Sequence, residues 1–65
     1  MINKIKVNGF LYNFSSDKWY KITAINKNIV TAVQVNILDT GRVKYTKKYK
    51  TFNEKELNKL NYCDY

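Results

Sequence analysis

At 65 residues, the chain is long enough for one small domain and too short for two. It contains no histidine and one cysteine, and its formal net charge is +7, from 12 basic and 5 acidic residues. These counts exclude an internal disulfide and a conventional zinc site, and the charge favours a polyanionic partner. The lone thiol and the lack of a long apolar run predict a cytoplasmic protein with no membrane segment and no cofactor.

The chain begins with a pattern typical of a β-hairpin. Asn8-Gly9 suits a two-residue type I′ turn, because both residues tolerate positive φ. Such a turn sets Val7 opposite Phe10 and produces one apolar and one polar face. The apolar face would hold Ile5, Val7, Phe10, Tyr12 and Phe14, with Lys4, Lys6 and Asn13 on the other side.

A polar break at residues 15–18 precedes a predicted three-stranded meander. Its turns are Lys27-Asn28 and Asp39-Thr40-Gly41, the second being typical of a three-residue hairpin loop closed by a left-handed glycine. The predicted strands cover residues 19–26, 29–38 and 42–50.

These turns set the register of the meander. A two-residue first loop would pair Ile22 with Val33, and the second loop would pair Val35 with Tyr45. Lys47 falls among apolar positions, so we expect a bulge or a strand end there. The core face would consist of Tyr20, Ile22, Ala24, Val33, Val35, Ile37, Val43, Tyr45 and Tyr49.

The last segment favours a short helix. Asn53 is a good N-cap with Glu56 three residues later, and Leu57 and Leu60 would pack the helix on the sheet. The alternative is a single 3₁₀ turn followed by a fifth strand through Tyr62.

Together these elements predict an all-β fold with one short C-terminal helix over residues 1–65. The expected architecture is a small SH3-like barrel made of the N-terminal hairpin and the antiparallel meander. Its layout, length and charge resemble the small chromatin proteins of the Sul7d type from thermophilic archaea. The Gly-rich loop of those proteins is replaced here by Asp39-Thr40-Gly41. The resemblance implies duplex-DNA binding through the outer face of the triple-stranded sheet, and it transfers no individual residue.

Catalysis has few candidate groups. General acid–base chemistry near neutral pH most often uses histidine, which is absent. Asp17 and Asp39 fall in turns, where aspartate is expected for its backbone hydrogen bonds. We therefore predict that the protein is not an enzyme, the alternative being a histidine-free nuclease that uses Lys, Arg and Tyr.

A binding surface is easier to propose. The predicted register turns a basic, amide-bearing face outward, with lysines to neutralise phosphates and Trp19 to stack on bases. Lysines on an edge strand also prevent sheet-to-sheet aggregation, and Trp19 could instead close the core. The candidate nucleic-acid-binding residues are Trp19, Lys21, Gln34, Arg42, Lys44, Thr46, Lys48 and Lys50.

The leading hypothesis is a non-enzymatic nucleic-acid-binding module that contacts mainly the phosphate backbone of DNA or RNA. The first alternative is a protein–protein interaction module or inhibitor encoded by a phage or other mobile element. It is suggested by the small size, the many tyrosines and a composition rich in Lys, Asn, Ile and Tyr, whose codons are rich in A and T. The second alternative is a sponge for phosphorylated or cyclic nucleotides.

Overall fold

Five antiparallel strands and one helical turn make up residues 5–63, the part of the chain that the computed structural model describes. The elements are β1 Phe10–Asn13, β2 Lys18–Asn26, β3 Ile29–Ile37, β4 Val43–Phe52, α1 Glu54–Leu57 and β5 Asn61–Cys63. The strands form one sheet in the order β4-β3-β2-β1-β5. The all-β prediction with one short C-terminal helix is therefore confirmed. No helix in this part of the chain is long and apolar enough to span a membrane.

The meander formed by β2, β3 and β4 follows from its turns. Asn26 pairs with Ile29 across a two-residue turn in which Lys27 has φ 54°. Gly41 has φ 84°, a left-handed conformation that favours glycine, and it lies in the loop that joins β3 to β4. Ile37 pairs with Val43 across this loop and Val35 pairs with Tyr45, the second pair as predicted. Local turn chemistry thus sets both ends of the meander.

The predicted N-terminal hairpin is wrong. Among the described residues, Ile5 to Val7 form no strand, and Lys4 lies outside the described range. The Gly9 N–H donates to the Lys6 carbonyl, so the turn begins one residue earlier than predicted. Asn8 and Gly9 then oppose the single residue Ile22, with Asn8 at φ 76° in the position that glycine usually takes in a G1 bulge.

The reason for this difference lies in β1 itself. β1 pairs with β2 along one edge and with β5 along the other, so neither edge is open to a strand from residues 5–7. The Tyr62 hydroxyl, from β5, accepts a hydrogen bond from the Lys6 N–H at 3.2 Å. The predicted helix and the alternative fifth strand through Tyr62 are both present.

The register between β2 and β3 also differs from the prediction. The pairs next to the turn follow a two-residue loop, and the register then shifts by one residue between Ile22 and Ala24. Beyond this bulge Ile22 pairs with Ala32 instead of Val33, and Tyr20 pairs with Gln34 instead of Val35. Side chains alternate between the two faces of a strand, so a shift of one residue places Tyr20 and Ile22 on the face opposite to Val33 and Val35. The single predicted core face is therefore divided between two faces.

The bulge expected near Lys47 is confirmed. Val35 pairs with Tyr45 and Val33 pairs with Tyr49, so four residues of β4 span two residues of β3. The interruption removes Lys47 from the regular alternation of the strand.

One face of the sheet, the helix face, packs under α1. Its buried residues form one apolar cluster with Leu57, the last residue of α1, and with Leu60, three residues later. Asn53 is the N-cap of α1, and its side chain and that of Glu56 form a reciprocal capping box. The other buried members of the cluster are Ile5, Leu11, Tyr20, Ile22, Val30, Ala32 and Phe52.

The opposite face, here called the aromatic face, has a smaller core. Phe10, Val33 and Val35 are buried there, with Trp19 and Val43 half-buried against them. Strand pairing adds Tyr12, Lys21, Tyr45 and Tyr49 to the same face. Among residues 5–63 no pairing joins β4 to β5, so the closed SH3-like barrel stays a prediction.

Candidate nucleic-acid interface

The aromatic face exposes large rings to solvent. Tyr45 is 52% exposed and Tyr49 66%, although both belong to a strand of a five-stranded sheet. They lie on β4, an edge strand beside which no further strand of residues 5–63 is placed. Exposed tyrosines that share one face of a sheet are suited to stacking against flat ligands.

A second group of rings lies where β1 meets β2. The Tyr12 ring is 4.8 Å from the Trp19 ring and 5.2 Å from the Phe14 ring, centroid to centroid. Phe14 is 73% exposed, whereas Trp19 is half-buried because it packs against the core of the aromatic face. One part of Trp19 thus packs against the core and the rest borders the surface, and its stacking on bases stays a prediction.

The loop between β1 and β2 is held by a hydrogen bond from the Tyr12 hydroxyl to Asp17 Oδ1, at 2.6 Å. This bond, with smaller contributions from desolvation and from the charge of Asp17, raises the pKa of Tyr12. The Ser15 N–H also donates to Asn13 Oδ1 at 3.0 Å, which orders the loop further. Phe14 is therefore presented from an ordered loop.

Lys21 is the cation at the centre of the aromatic face. It is half-buried between Phe10 and Val33, which flank it on the neighbouring strands. Its Nζ donates to the Tyr45 hydroxyl at 2.5 Å and lies 5.1 Å from the centroid of that ring. These two distances place the ammonium beyond the hydroxyl end of the ring, so the charge-assisted hydrogen bond is the contact that restrains Tyr45.

The bulge in β4 is stabilised by Thr46. Its hydroxyl donates to the Gln34 carbonyl at 2.7 Å and accepts from the Lys48 N–H at 3.1 Å. These bonds satisfy backbone groups that the interrupted strand pairing would leave unpaired. Lys47 and Lys48 are both exposed here, between the two tyrosines in the chain.

The eight predicted binding residues do not form one surface. Trp19 and Lys21 lie on the aromatic face, whereas the register places Gln34, Lys44 and Lys50 on the helix-face side. Thr46 and Lys48 belong to the bulge, and Arg42 is in the loop before β4. The predicted basic stripe along β4 is thus interrupted at the bulge, although Lys44 before it and Lys50 after it share one face.

Sequence reasoning misses Tyr45 and Tyr49 as surface residues, because it assigns both to the core. The signal that could have corrected this is Lys47, which marks the bulge from sequence alone. It also misses Tyr12 and Phe14, which the predicted hairpin placed on an apolar face.

Positive charge is concentrated along β4. The strand carries four lysines and no acidic residue. Lys44, Lys47 and Lys48 are exposed, and among the described residues none of them has an ion-pair partner. Glu54 and Glu56 lie instead on α1, and Asp17 is bonded to Tyr12. Lys47 and Lys48, in the bulge between Tyr45 and Tyr49, therefore place uncompensated positive charge at the β4 edge of the aromatic face.

No three His, Cys, Asp or Glu side chains come together in residues 5–63, so this part of the chain has no cluster of metal ligands. Cys63 is a half-buried free thiol packed against the core of the aromatic face.

No protein-family model, curated protein or solved structure matches this chain. The basis for assigning a function is thus the aromatic face and the charge that surrounds it.

Proposed function

We propose that this protein is a non-enzymatic nucleic-acid-binding module that uses the aromatic face as its contact surface. The observation that carries the proposal is the pair of exposed tyrosines on β4, separated in the chain by two exposed lysines. Every nucleobase has a flat face that can stack on an aromatic ring, and every nucleotide carries a phosphate that attracts lysine. This surface offers both kinds of contact within five consecutive residues.

In this proposal the tyrosines contact the bases and the lysines contact the phosphates. Tyr45 and Tyr49 stack on bases, while Lys47 and Lys48 neutralise phosphates beside them. Lys21 restrains Tyr45 through the hydrogen bond to its hydroxyl. Recognition of a particular base sequence is not expected, since the sequence has one arginine and residues 5–63 form no helix long enough to enter a groove.

The test is a titration of labelled DNA and RNA oligonucleotides, single-stranded and duplex, at several salt concentrations. We expect affinity to fall steeply between about 50 and 200 mM salt, because binding releases condensed counterions. Replacing Lys47 and Lys48 together by Gln should lower the slope of log K against log salt by about 0.7 to 0.9 per lysine.

A matched control removes the same charge from another place. Lys55 and Lys59 are exposed on and just after α1, and their joint replacement by Gln should leave the slope close to that of the wild type. Equal effects of the two pairs would mean that net charge, and not the aromatic face, attracts the ligand. Absence of binding to any oligonucleotide at low salt, with a specific protein recovered by pull-down, would favour the protein-interaction alternative.

A further inference from the structure

The bulge in β4 determines how far apart the two exposed tyrosines lie. In a regular strand, four residues span about 13 Å, at roughly 3.3 Å per residue. Here Tyr45 and Tyr49 pair with Val35 and Val33, which are two residues apart on β3. The tyrosines therefore lie on neighbouring rows of the aromatic face, about 7 Å apart along the strand.

This separation has a direct chemical meaning. Successive bases stacked on one strand are about 3.4 Å apart, so two such spacings add to roughly 7 Å. One flat base fits between two rings held at that distance, with a stacking contact on each side. A base inside a duplex already has both faces covered by its neighbours, and unstacking it costs a few kcal/mol.

We propose, building on the nucleic-acid binding proposed above, that Tyr45 and Tyr49 hold one unpaired base between them. The preferred ligand is then single-stranded nucleic acid rather than a duplex. The phosphates on either side of the held base lie against the bulge, where Lys47 and Lys48 are exposed.

Two features prepare this site in the absence of a ligand. The Lys21 ammonium holds the Tyr45 ring through its hydroxyl, so one wall is fixed. The Thr46 hydroxyl bonds to both Gln34 and Lys48, which keeps the bulge in the shape that places the tyrosines on adjacent rows. Tyr49 is the more exposed of the two rings and forms the outer wall.

The experiment compares the wild-type chain with Tyr49→Ala and Tyr49→Phe. The probes are a fluorescent oligothymidine strand, the same strand carrying abasic sites, and a duplex of it with oligoadenosine. We expect Tyr49→Ala to weaken binding of the intact strand about 5- to 150-fold and Tyr49→Phe to bind like the wild type. The abasic strand should bind the wild type and Tyr49→Ala equally, because it has no base to stack.

Ile29→Ala is the matched control, since Ile29 is 42% exposed near the β2–β3 turn, away from the bulge. It should leave all three affinities unchanged, and circular dichroism should report the same fold for every variant. If the wild type binds with salt-dependent affinity but Tyr49→Ala and abasic sites have no effect, the stacking site is refuted while nucleic-acid binding stands. Tighter binding to the duplex than to the single strand also refutes the stacking site alone. Failure of every probe to bind at low salt refutes both proposals.

Discussion

The Tyr12 hydroxyl donates a 2.6 Å hydrogen bond to Asp17 across the loop that joins β1 to β2. The bond links β1 to the residue before β2, and Asp17 has a positive φ of 53°. The same loop carries the exposed Phe14, whose ring packs edge-on against Tyr12. One hydrogen bond thus orders both the loop and the border of the aromatic face.

This bond makes a prediction about pH. The pKa of Tyr12 is raised, so the folded state favours the protonated phenol. The stabilisation is present at pH values below the ordinary pKa of tyrosine and is lost as the pH rises through the raised pKa. Asp17→Asn should lower the pKa of Tyr12 toward its ordinary value, which NMR titration of the tyrosine Cζ signals would measure. Titration of Tyr12 at the same pH in both proteins would contradict this.

The capping box of α1 should contribute measurably to stability. Asn53 Oδ1 accepts from the Glu56 N–H at 2.9 Å, and Glu56 Oε1 accepts from the Asn53 N–H at 3.1 Å. We expect Asn53→Ala to lower the free energy of unfolding by about 1 kcal/mol and the melting temperature by about 4 to 8 °C. Lys55→Ala, in the exposed middle of the same turn, serves as the control and should change little. Similar losses for the two variants in thermal denaturation would argue against the cap.

Gly9 is required for a reason that involves Tyr62. A Cβ placed on Gly9 would lie 2.5 Å from the Tyr62 ring, which accepts the Lys6 N–H through its hydroxyl. Gly9→Ala should therefore displace the ring and lower the free energy of unfolding by about 1 to 3 kcal/mol. In a double-mutant cycle, most of this loss should disappear in a Tyr62→Ala background. Full additivity of the two substitutions would show that the contact is not the cause.

The Thr46 hydroxyl should stabilise the bulge. Thr46→Val leaves the Gln34 carbonyl and the Lys48 N–H without their partner, which should cost about 1 to 3 kcal/mol. The amide of Lys48 should then exchange faster with deuterated solvent than in the wild type. Thr51→Val makes the same change at an exposed position of the same strand and should be nearly neutral. Unchanged exchange at Lys48 would refute this role.

Much of the fold could be predicted because its signals are local. The loop at Asp39–Gly41, the Asn53 cap and the bulge at Lys47 each depend on a few consecutive residues whose conformational preferences are strong. The partners of β1 could not be predicted in this way. One of them, β5, lies about fifty residues away in the chain, and its choice depends on packing that no local pattern describes.

The bulge at Thr23 could not be predicted from local sequence patterns either. β3 carries Ala32 and Val33 side by side, so either register places an apolar residue opposite Ile22. Hydrophobic alternation cannot choose between two pairings that bury similar side chains, and the three-dimensional packing of the sheet makes the choice.

The amino acids alone identify a small, basic, tyrosine-rich β-protein with no histidine for catalysis, since these properties are counts and short patterns. They do not reveal which side chains share a surface. That depends on the bulge at Thr23, because its shift of one residue changes which residues of β2 and β3 share a face. The bulge in β4 adds two residues, so Tyr45 and Tyr49 stay on one face. Trp19 and Lys21 consequently lie beside Tyr45 and Tyr49, on the opposite side of the sheet from Lys44 and Lys50.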